Sequence, residues 1–423
     1  MKITIVAGGT RGDVAPYTGI GVRLRDDGHQ VTIATHQPFA ELVRACDLGF
    51  APIPGDLHTV LASVVFQRWQ RVSPSPTAQL RSRSQITAVI RQVAQVMRDI
   101  GDGVVDVVKQ GADLLLLSNT LAPLSYHLAD EFRIPSMGVY WGPLDPTGEF
   151  PPVMAAYRSL GRWGNRGTAA LAQRMTDAVY AGAVKQQRQR LGLAPVSLAQ
   201  LRRRQHRQQW PILHGFSPAV VSRPHDWRPG LDVVGYWWSQ RAPDWRPPAA
   251  LVEFLAAGPP PVFVGFGSMA PDHADQLSAL AVGALRAARV RGVVQAGWAG
   301  LAVTGDDVIS IGDTPHDWLF PKMSVVVHHC GAGTTGAAIR AGKPAVAVPV
   351  MIDQFFWAGR LARLGVAPRP VPFARLSVER LAAGIRAALD DPAHRESAET
   401  LGRQIAMEDG AGRVAESVRH MFT

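Results

Sequence analysis

Short apolar runs alternate with amphipathic segments along most of this chain. In its first half, apolar runs predict β-strands at residues 2–7, 30–35, 113–118 and 135–141. Helical periodicity predicts α-helices at residues 15–27, 41–47 and 122–132. The strands are apolar throughout, instead of alternating with polar positions, which is typical of a parallel sheet covered on both faces. The first half is therefore predicted to be a doubly wound α/β domain.

The pattern breaks at residues 222–248, where five prolines accompany one short predicted strand at 232–237. Alternation then resumes, with strands predicted at residues 261–266, 291–296, 308–311, 324–328 and 345–349. Helices are predicted at residues 274–288, 335–341, 355–364 and 395–423. Two stretches rich in aromatic residues, Pro and Gly, at 66–76 and 142–167, are predicted to be mobile loops.

The length of the chain predicts two domains. A chain of 423 residues exceeds one ordinary core, so two domains of roughly 200 residues each are expected. We place an N-terminal domain at 1–222, a linker at 223–248, a C-terminal domain at 249–405 and a final helical segment at 406–423. Ligands of open α/β sheets bind beyond the carboxyl ends of the strands, so a central cleft between facing sheet ends is expected.

Composition favours a folded protein without a membrane span. Hydrophobic residues make up 47% and charged residues 18% of the chain, which suits a packed α/β protein. No uncharged apolar run reaches about 18 residues, so no transmembrane helix is predicted. The apolar N-terminus is too short for a signal peptide, and we interpret it as the first strand. Cys46 and Cys330 fit no metal or disulfide pattern, which favours a reducing cytoplasm.

The net charge of +10 is concentrated in the first half. Residues 1–235 carry 26 Lys or Arg against 17 Asp or Glu, and most of the excess lies in residues 158–207. Such a basic segment is either a solvated helix face or a patch for an anionic membrane, an acidic acceptor or nucleic acid. Nucleic acid is disfavoured because no DNA- or RNA-binding motif accompanies the charge. A cytoplasmic protein with peripheral contact at the inner membrane face is therefore an open expectation.

A glycine-rich loop, residues 331–336, matches GxGxxG between a predicted strand and a predicted helix. Small residues let the backbone approach a diphosphate, and the N–H groups at a helix start point toward negative charge. Thr334 and Thr335 add hydroxyl donors. His328 and His329, directly before the loop, could donate to phosphate oxygens or neutralise their charge.

A dinucleotide site is the alternative for this loop, since Asp353 follows it where an NAD-binding domain places its ribose carboxylate. Two observations favour a nucleotide sugar. The loop follows the fourth predicted strand of its domain, whereas the dinucleotide fingerprint follows the first. The acid also has an amide neighbour, Gln354, and this pair suits the several hydroxyls of a hexose.

A candidate general base lies in the turn after the first strand. Sugar transfer needs a base near the acceptor hydroxyl and stabilisation of the leaving diphosphate. The turn at residues 8–13 is placed at the carboxyl end of the N-terminal sheet and carries one carboxylate, Asp13. From the sequence alone, an ordinary first-turn helix acid explains Asp13 equally well.

Five separated segments together resemble the UDP-glycosyltransferase superfamily. They are TRGD at 10–13, GYW at 235–237, VGFGSM at 264–269, PHDWL at 315–319, and HHCGAGTT with the later DQ between 328 and 354. The closest likeness is to bacterial antibiotic, sterol and glycolipid glycosyltransferases of the GT-B fold. That resemblance implies an α/β protein of two doubly wound, Rossmann-like parallel-sheet domains facing a central cleft, with a C-terminal helix crossing back to the N-terminal domain.

The resemblance implies roles for residues at matching positions. Asp13 stands where related bacterial enzymes carry the proposed catalytic base. The implied diphosphate-binding residues are Ser268, His329, Gly331, Gly333 and Thr334. The implied donor-sugar residues are Asp353 and Gln354, and the implied nucleoside-binding residues are Asp313, Thr314 and His316.

Acceptor recognition is expected in the N-terminal domain. The candidate acceptor-binding residues are Arg11, Trp69, Tyr140 and Trp141, with Phe66 and Phe150 as further aromatics. Such a wall suits an apolar acceptor, although each aromatic residue is equally explained as core.

The chain departs from plant members of the superfamily at three positions. Asp313 stands at their tryptophan position and His316 at their glutamine position, so uracil and thymine stay open as the base. Asn119 stands near the aspartate that supports their catalytic histidine, so no His–Asp relay is expected. No DxD-like acidic cluster is present, and a helix N-terminus with His329 can offset the phosphate charge, so no metal is required.

The predicted function is therefore inverting transfer of a hexose from a UDP- or dTDP-sugar to a hydroxyl of a hydrophobic acceptor, a polyketide or macrolide, sterol or glycolipid aglycone. The sequence identifies neither the acceptor nor the sugar. A catalytically silent glycosyltransferase-like helper protein is the first alternative, and an NAD-dependent oxidoreductase is the second.

Overall fold

A computed structural model describes residues 1–55, 76–154, 158–242, 244–267, 274–296, 304–350 and 352–422, and of residues 76–90, 274 and 304–305 the backbone alone. These residues form two compact units. The first unit comprises Met1–Pro218, Ser222–Pro243 and Asp409–Thr423, and the second comprises Ala219–Val221 and Asp244–Glu408. Most of the segment predicted as a linker therefore belongs to the first unit.

The first unit contains a seven-stranded sheet. Its strands are β1 (Lys2–Val6), β2 (Gln30–Thr35), β3 (Gly49–Pro52), β4 (Leu114–Ser118), β5 (Ser136–Tyr140), β6 (Ile212–His214) and β7 (Leu231–Val233). The order is β3-β2-β1-β4-β5-β6-β7, and every neighbouring pair is parallel. The order reverses direction between β1 and β4, and ligands of such sheets bind beyond the carboxyl ends at that point.

The strand predicted at 232–237 is shorter than expected and shifted by one residue, because the chain after Val233 leaves the sheet. Tyr236 and Trp237 are nevertheless buried, and Trp237 packs into the core of this unit.

Helices cover this sheet. They are α1 (Arg11–Val14), α2 (Pro16–Asp26), α3 (Ala40–Arg44), α4 (Pro76–Lys109), α5 (Ala122–Glu131), α6 (Gly161–Arg190) and α7 (Leu198–Arg207). The prediction that residues 142–167 form a loop is wrong from Gly161 onward, where α6 begins. The Asn165 side chain donates to the Gly148 carbonyl (3.0 Å) and accepts from the Leu160 N–H (3.0 Å). These tertiary contacts and packing on α4 outweigh the low helix propensity of the local glycines.

The second unit contains a six-stranded sheet. Its strands are β8 (Val262–Gly265), β9 (Gly292–Gln295), β10 (Thr304–Gly305), β11 (Val308–Ile311), β12 (Val325–His328) and β13 (Ala345–Ala347). Their order is β10-β11-β9-β8-β12-β13, and only β10 with β11 is antiparallel among the described pairs. The sequence missed β10, so the glycine-rich loop follows the fifth described strand of this unit instead of the fourth.

The helices of the second unit are α8 (Ala249–Ala256), α9 (Ala274–Ala287), α10 (His316–Leu319), α11 (Ala332–Arg340), α12 (Gln354–Arg363), α13 (Val378–Asp390) and α14 (Pro392–Ala406). Alternate residues of its strands belong to different cores. Val325 and Val327 of β12 pack in one apolar cluster, and Val326 between them packs in another. Because side chains alternate across a strand, both faces of this sheet are covered. The predicted fold class, two parallel-sheet α/β domains, is confirmed.

The last helix, α15 (Gly410–Met421), belongs to the first unit. Its Val414 and Val418 are fully buried in the core that also contains Tyr17 and Leu24 of α2. The sequence predicted one helix from residue 395 to the end, whereas the structure has two, α14 and α15. Asp409 separates them by capping α15, with its side chain accepting from the Gly412 N–H (2.8 Å).

Candidate active site

The turn after β1 holds the candidate base of the first unit. Asp13 is the third residue of α1, and its Oδ2 accepts from the Thr10 N–H (2.7 Å) and from the Thr10 hydroxyl (2.9 Å). Burial raises the pKa of Asp13 above its usual value, and the two bonds from Thr10 act in the opposite direction. Among the described residues no hydrogen bond reaches Oδ1 of Asp13. One carboxylate oxygen thus caps the helix and the other is not engaged.

Gly9 makes this arrangement possible. Its φ is +134°, and a Cβ at this position would lie 2.4 Å from Asp13 Oδ2. Only glycine fits both the backbone conformation and the space. The sequence indicated a flexible turn here, whereas the structure requires Gly9 for room beside the carboxylate.

Two phenols lie near Asp13. The Tyr17 hydroxyl donates to the Val139 carbonyl (2.7 Å), and the Tyr180 hydroxyl of α6 donates to the Thr120 carbonyl (2.9 Å). Burial raises the pKa of both phenols, with the Asp13 charge as the next cause, so both stay neutral. Tyr180 lies far from Asp13 in sequence, and no sequence motif identified it.

The carboxyl ends of β4 and β5 present two buried polar atoms. Asn119 directly follows β4 and Trp141 directly follows β5. Within the described part of the chain, Asn119 Oδ1 and Trp141 Nε1 have no hydrogen-bond partner. An acceptor and a donor left unsatisfied at adjacent strand ends are suited to a polar group of a ligand.

The other predicted acceptor residues differ in their surroundings. Tyr140 is half-buried at the end of β5, and its ring meets His214 edge-on at 5.9 Å. Burial raises its pKa, with Asp145 adding to the effect. Arg11 is exposed. Phe150 is a core residue, whereas Phe66 and Trp69 lie outside the described residues.

A cavity of about 140 Å³ lies beside Tyr140. It opens between α5, α6 and α7, and its aromatic lining residues are Tyr126, Tyr140 and Tyr180. Leu144, Leu198 and Leu201 add apolar surface. Asp145, Asp177 and Arg202 also line it, so the cavity has apolar, phenolic and charged walls. Pockets for small molecules combine an apolar lining with a few polar groups.

In the second unit, the glycine-rich loop runs from β12 into α11. Gly331 is the N-cap of α11, and no side chain caps this helix start. Among the described residues, a Cβ added to Gly333 in the first turn would meet nothing within 4 Å. No described residue therefore fills the space at Gly333, and an anion at this helix start is favoured by the free N–H groups and the helix dipole.

The two histidines before the loop have different environments. His328 is fully buried, its Nδ1 accepts from the Cys330 N–H (3.1 Å), and burial lowers its pKa to about 3. Its Nε2 is buried and has no hydrogen-bond partner among the described residues, and a contact with phosphate stays a prediction. His329 is partly exposed, and its buried surroundings lower its pKa to about 4. His329 is therefore neutral at neutral pH in the protein without a ligand, and it can donate a hydrogen bond to a phosphate oxygen.

His329 is enclosed by two glycines. A Cβ at Gly267 would lie 2.8 Å from His329 Cε1, and a Cβ at Gly331 would lie 2.8 Å from His329 Nε2. Any larger residue at either position would displace the ring. Nδ1 of His329 is buried and has no hydrogen-bond partner within the described ranges. Gly331 therefore leaves room for the imidazole of His329. This role adds to the one that its motif predicts, which is close approach of the backbone to a ligand.

The hydroxyls at the loop are not equivalent. Thr334 is partly exposed at the helix start, whereas Thr335 is fully buried. The suggestion that both hydroxyls serve phosphate is wrong for Thr335, because its side chain faces the protein interior. Ser268 lies outside the described residues.

The predicted sugar-binding pair begins α12. Asp353 is its N-cap, and Asp353 Oδ2 accepts from the indole N–H of Trp357 (3.1 Å). The Gln354 side chain is buried, and its Oε1 accepts from the Val350 N–H (2.8 Å). Both side chains are thus fixed at the carboxyl side of β13.

The predicted nucleoside segment precedes α10. Asp313 is exposed, and His316 stacks on Phe320 with ring centroids 4.2 Å apart. Thr314 is buried, and its hydroxyl donates to the Gly312 carbonyl (3.3 Å). The Thr314 hydroxyl closes a local turn, and a nucleoside contact by Thr314 stays a prediction.

Four of the eleven Lys and Arg residues in the basic segment, residues 158–207, form ion pairs among the described residues. Arg190 contacts Asp106 (2.6 Å), Arg202 contacts Asp177, Arg204 contacts Asp130, and Arg166 contacts Asp226 (2.7 Å). These pairs neutralise part of the charge locally, and the segment as a whole stays basic.

Two searches of the described residues gave negative results. They contain no cluster of three or more His, Cys, Asp or Glu suited to a metal ion. Among the described helices, none combines the length and apolarity needed to cross a membrane.

Comparisons with known proteins match both units. Residues 3–104 match the family model of the glycosyltransferase family 28 N-terminal domain, and residues 291–421 match the erythromycin biosynthesis protein CIII-like C-terminal domain. The sterol 3-beta-glucosyltransferase UGT80A2 of Arabidopsis thaliana is 34% identical over 432 residues. The match covers all of this chain but only 66% of the plant protein's length.

A second relative matches over nearly its whole length. The O-mycaminosyltylonolide 6-deoxyallosyltransferase of Streptomyces fradiae is 36% identical, over 97% of this chain and 95% of its own. Among solved structures, the glycotransferase of kitacinnamycin superposes with a TM-score of 0.71 at 19% identity, covering 99% of this chain and 98% of that one. The fold and the sequence comparisons agree, and they argue against the oxidoreductase alternative. This chain belongs to the UDP-glycosyltransferase superfamily of GT-B fold and is a nucleotide-sugar-dependent glycosyltransferase.

Proposed function

We propose that this chain transfers a hexose, with inversion, from a UDP- or dTDP-sugar to a hydroxyl group of a hydrophobic acceptor. The observation that carries the proposal is the start of α11. An uncapped helix N-terminus has open space at Gly333. Beside it stands a neutral His329 whose Nδ1 has no partner among the described residues. Backbone N–H groups and one neutral donor suit the diphosphate that leaves during transfer.

The proposed reaction assigns one proton transfer to Asp13. Its Oδ1 accepts the proton of the acceptor hydroxyl while the hydroxyl oxygen attacks the anomeric carbon and the diphosphate leaves. The raised pKa of Asp13 makes its carboxylate a stronger base than an exposed one. Thr334 and the amides of α11 offset the charge on the leaving group. No metal is assigned to this step.

Asp353 and Gln354 are proposed to hold the hexose. Their side chains are already oriented by bonds from Trp357 and Val350, so little side-chain entropy is lost when a sugar binds. Asp313 and His316 are proposed to contact the nucleoside. The two relatives described above transfer different sugars by their names, and the identity of base and sugar stays open between UDP- and dTDP-hexoses.

The proposed acceptor is a sterol, a polyketide or macrolide, or a glycolipid aglycone. The unsatisfied atoms of Asn119 and Trp141 and the partly apolar cavity beside Tyr140 support a ligand with both a polar group and an apolar body. The names of the relatives are consistent with such acceptors.

A cytoplasmic location, predicted from the sequence, stays a proposal. Contact of the basic segment with an anionic membrane also stays a proposal, and half of the arginines at 188–207 are engaged by acids of other helices.

Two variants test the proposal, one through turnover and the other through the affinity for the nucleotide diphosphate. Asp13→Asn keeps the size of the side chain and an oxygen for Thr10, so we expect turnover to fall at least about a hundredfold with donor affinity unchanged. His329→Ala should weaken binding of the nucleotide diphosphate about tenfold, measured by calorimetry. Turnover is read by mass spectrometry with UDP- and dTDP-hexoses against sterols, macrolide aglycones and glycolipid analogues.

The controls separate the alternatives. A catalytically silent helper protein would give no product with any donor and acceptor in the wild type. Wild-type turnover in Asp13→Asn would exclude Asp13 as the base, and unchanged affinity in His329→Ala would exclude the phosphate role.

A further inference from the structure

One face of α6 exposes apolar side chains to solvent. Trp163 is 82% exposed, and Leu160, Leu171 and Met175 are each more than half exposed. Trp163, Leu171 and Met175 follow helical spacing, and the exposed Ala170, Ala178 and Ala181 extend the same face. We call these residues, with Leu160 directly before the helix, the α6 apolar face. Single exposed apolar residues are ordinary, but several on one face of a helix are not. The exposed Arg174 lies on the same face, three residues after Leu171.

The α6 apolar face is rigidly held. On the opposite side of the helix, Asn165, Ala169, Ala183, Val184 and Gln187 are buried. The Gln187 side chain donates to the carbonyls of Gly101 (2.8 Å) and Leu124 (3.1 Å). The helix therefore cannot turn its apolar side inward, because doing so would break buried hydrogen bonds.

The exposed charged residues of α6, and Arg158 just before it, are all positive. Arg158, Arg162, Arg174 and Lys185 are exposed, and none of them forms an ion pair among the described residues. The only acid on α6 is Asp177, which is engaged by Arg202. In the following segment, residues 188–207, three of the six arginines are paired with acids of neighbouring helices.

We propose that the α6 apolar face docks on an anionic lipid bilayer. A helix lying in the plane of a membrane buries a Trp- and Leu-bearing face at the headgroup level, while Lys and Arg contact anionic headgroups. Trp163 supplies the amphipathic ring favoured at that level, and Arg158, Arg162 and Arg174 supply the charge complementarity.

A second copy of the chain fits this face less well. A symmetric contact would place the α6 faces of two copies together, so the unpaired cations of one copy would meet those of the other. Like charges without intervening acids oppose such an interface. The bilayer proposal does not depend on the transfer reaction, because docking is measured without either substrate.

Vesicle co-sedimentation of the full chain tests the proposal. We expect binding to phosphatidylcholine vesicles containing phosphatidylglycerol to exceed binding to pure phosphatidylcholine by about tenfold, and to fall in high salt. Trp163→Ser and Arg174→Glu should each reduce the partition coefficient by about fivefold. Both side chains are exposed, so neither change should alter the fold, which circular dichroism and the thermal midpoint verify.

Matched controls lie elsewhere on the surface. Met407→Ser removes an apolar side chain that is 81% exposed in the second unit, and Arg203→Glu reverses an exposed charge in the basic segment. Both should bind vesicles like the wild type. The proposal is overturned if anionic vesicles do not bind the wild type, or if Trp163→Ser binds normally. It is also overturned if Arg203→Glu alone abolishes binding, or if Trp163→Ser dissolves a dimer seen by sedimentation velocity while vesicles do not bind.

Discussion

At the scale of single residues, Asp13 combines a structural and a chemical role. An acid in the first turn of a helix is commonly a cap, and Asp13 does bond back to Thr10. Both bonds reach Oδ2, so capping does not use up the carboxylate. The two interpretations that the sequence left open are therefore compatible, because they concern different oxygens of one side chain.

Thr10 is expected to set the pKa of Asp13. Its bonds to Oδ2 stabilise the charged form, so removing the hydroxyl in Thr10→Val should raise the Asp13 pKa further. A base acts when deprotonated, so activity is lost as pH falls through this pKa. We therefore expect the acid limb of the kcat/KM profile to move up by about one pH unit.

Thr10→Ser is the control, since it retains the hydroxyl and should keep the wild-type profile. A limb that does not move in Thr10→Val, together with activity lowered equally at every pH, would reduce Thr10 to a structural cap.

At the scale of elements, the glycines around the start of α11 have two different roles. The glycine motif predicts close approach of a ligand, and the open space at Gly333 is consistent with that. Gly331 and Gly267 instead make room for His329. The sequence indicated His329 because it stands directly before the glycine motif. It did not indicate Gly267, because the contact of Gly267 with His329 joins two segments that are distant in sequence.

Gly333→Ala is expected to separate folding from binding. Alanine is favoured over glycine in a helix interior by about 1 kcal/mol, so stability should stay equal or rise. A methyl group in the space above the helix start should weaken nucleotide-sugar affinity about tenfold, measured by calorimetry.

Gly359→Ala in α12 is the matched control, since a Cβ there also meets nothing within 4 Å. It should show the same stability and an unchanged affinity. Equal nucleotide-sugar affinities in Gly333→Ala and Gly359→Ala would show that the diphosphate does not bind at the start of α11.

At the scale of the whole molecule, α15 packs the end of the chain into the core of the first unit. Val414 and Val418 are buried there with residues of β1, β2 and α2. The ion pair of Arg23 with Asp409 (3.1 Å) is exposed and contributes little. The attachment of α15 therefore depends mainly on burial of its apolar side.

Val418→Asp is expected to destabilise the first unit strongly. A carboxylate placed at a fully buried position without a partner costs several kcal/mol, which lowers the unfolding temperature by roughly 10 °C. Differential scanning calorimetry measures this shift. Met407→Asp, at an exposed position just before α15, should leave the temperature unchanged, and an equal shift in both variants would contradict burial as the cause.

The sequence by itself identified most of the strands, the parallel character of both sheets and the positions of the glycine loop and Asp13. It missed the short strands β3, β6 and β10 and the long helix α4. Apolar runs and helical periodicity are local properties, and they located most described elements to within a few residues. The family resemblance rested on short segments whose order and spacing are also written in the chain.

The tertiary structure decided which of these side chains are accessible. His328, Thr314 and Thr335 carry suitable chemistry, but they are buried by residues that the local pattern does not reveal. Part of the basic segment is neutralised because Asp106, Asp130 and Asp177 of other helices pair with three of its arginines. Burial and ion pairing depend on contacts between residues distant in sequence, and such contacts exist only once the chain has folded.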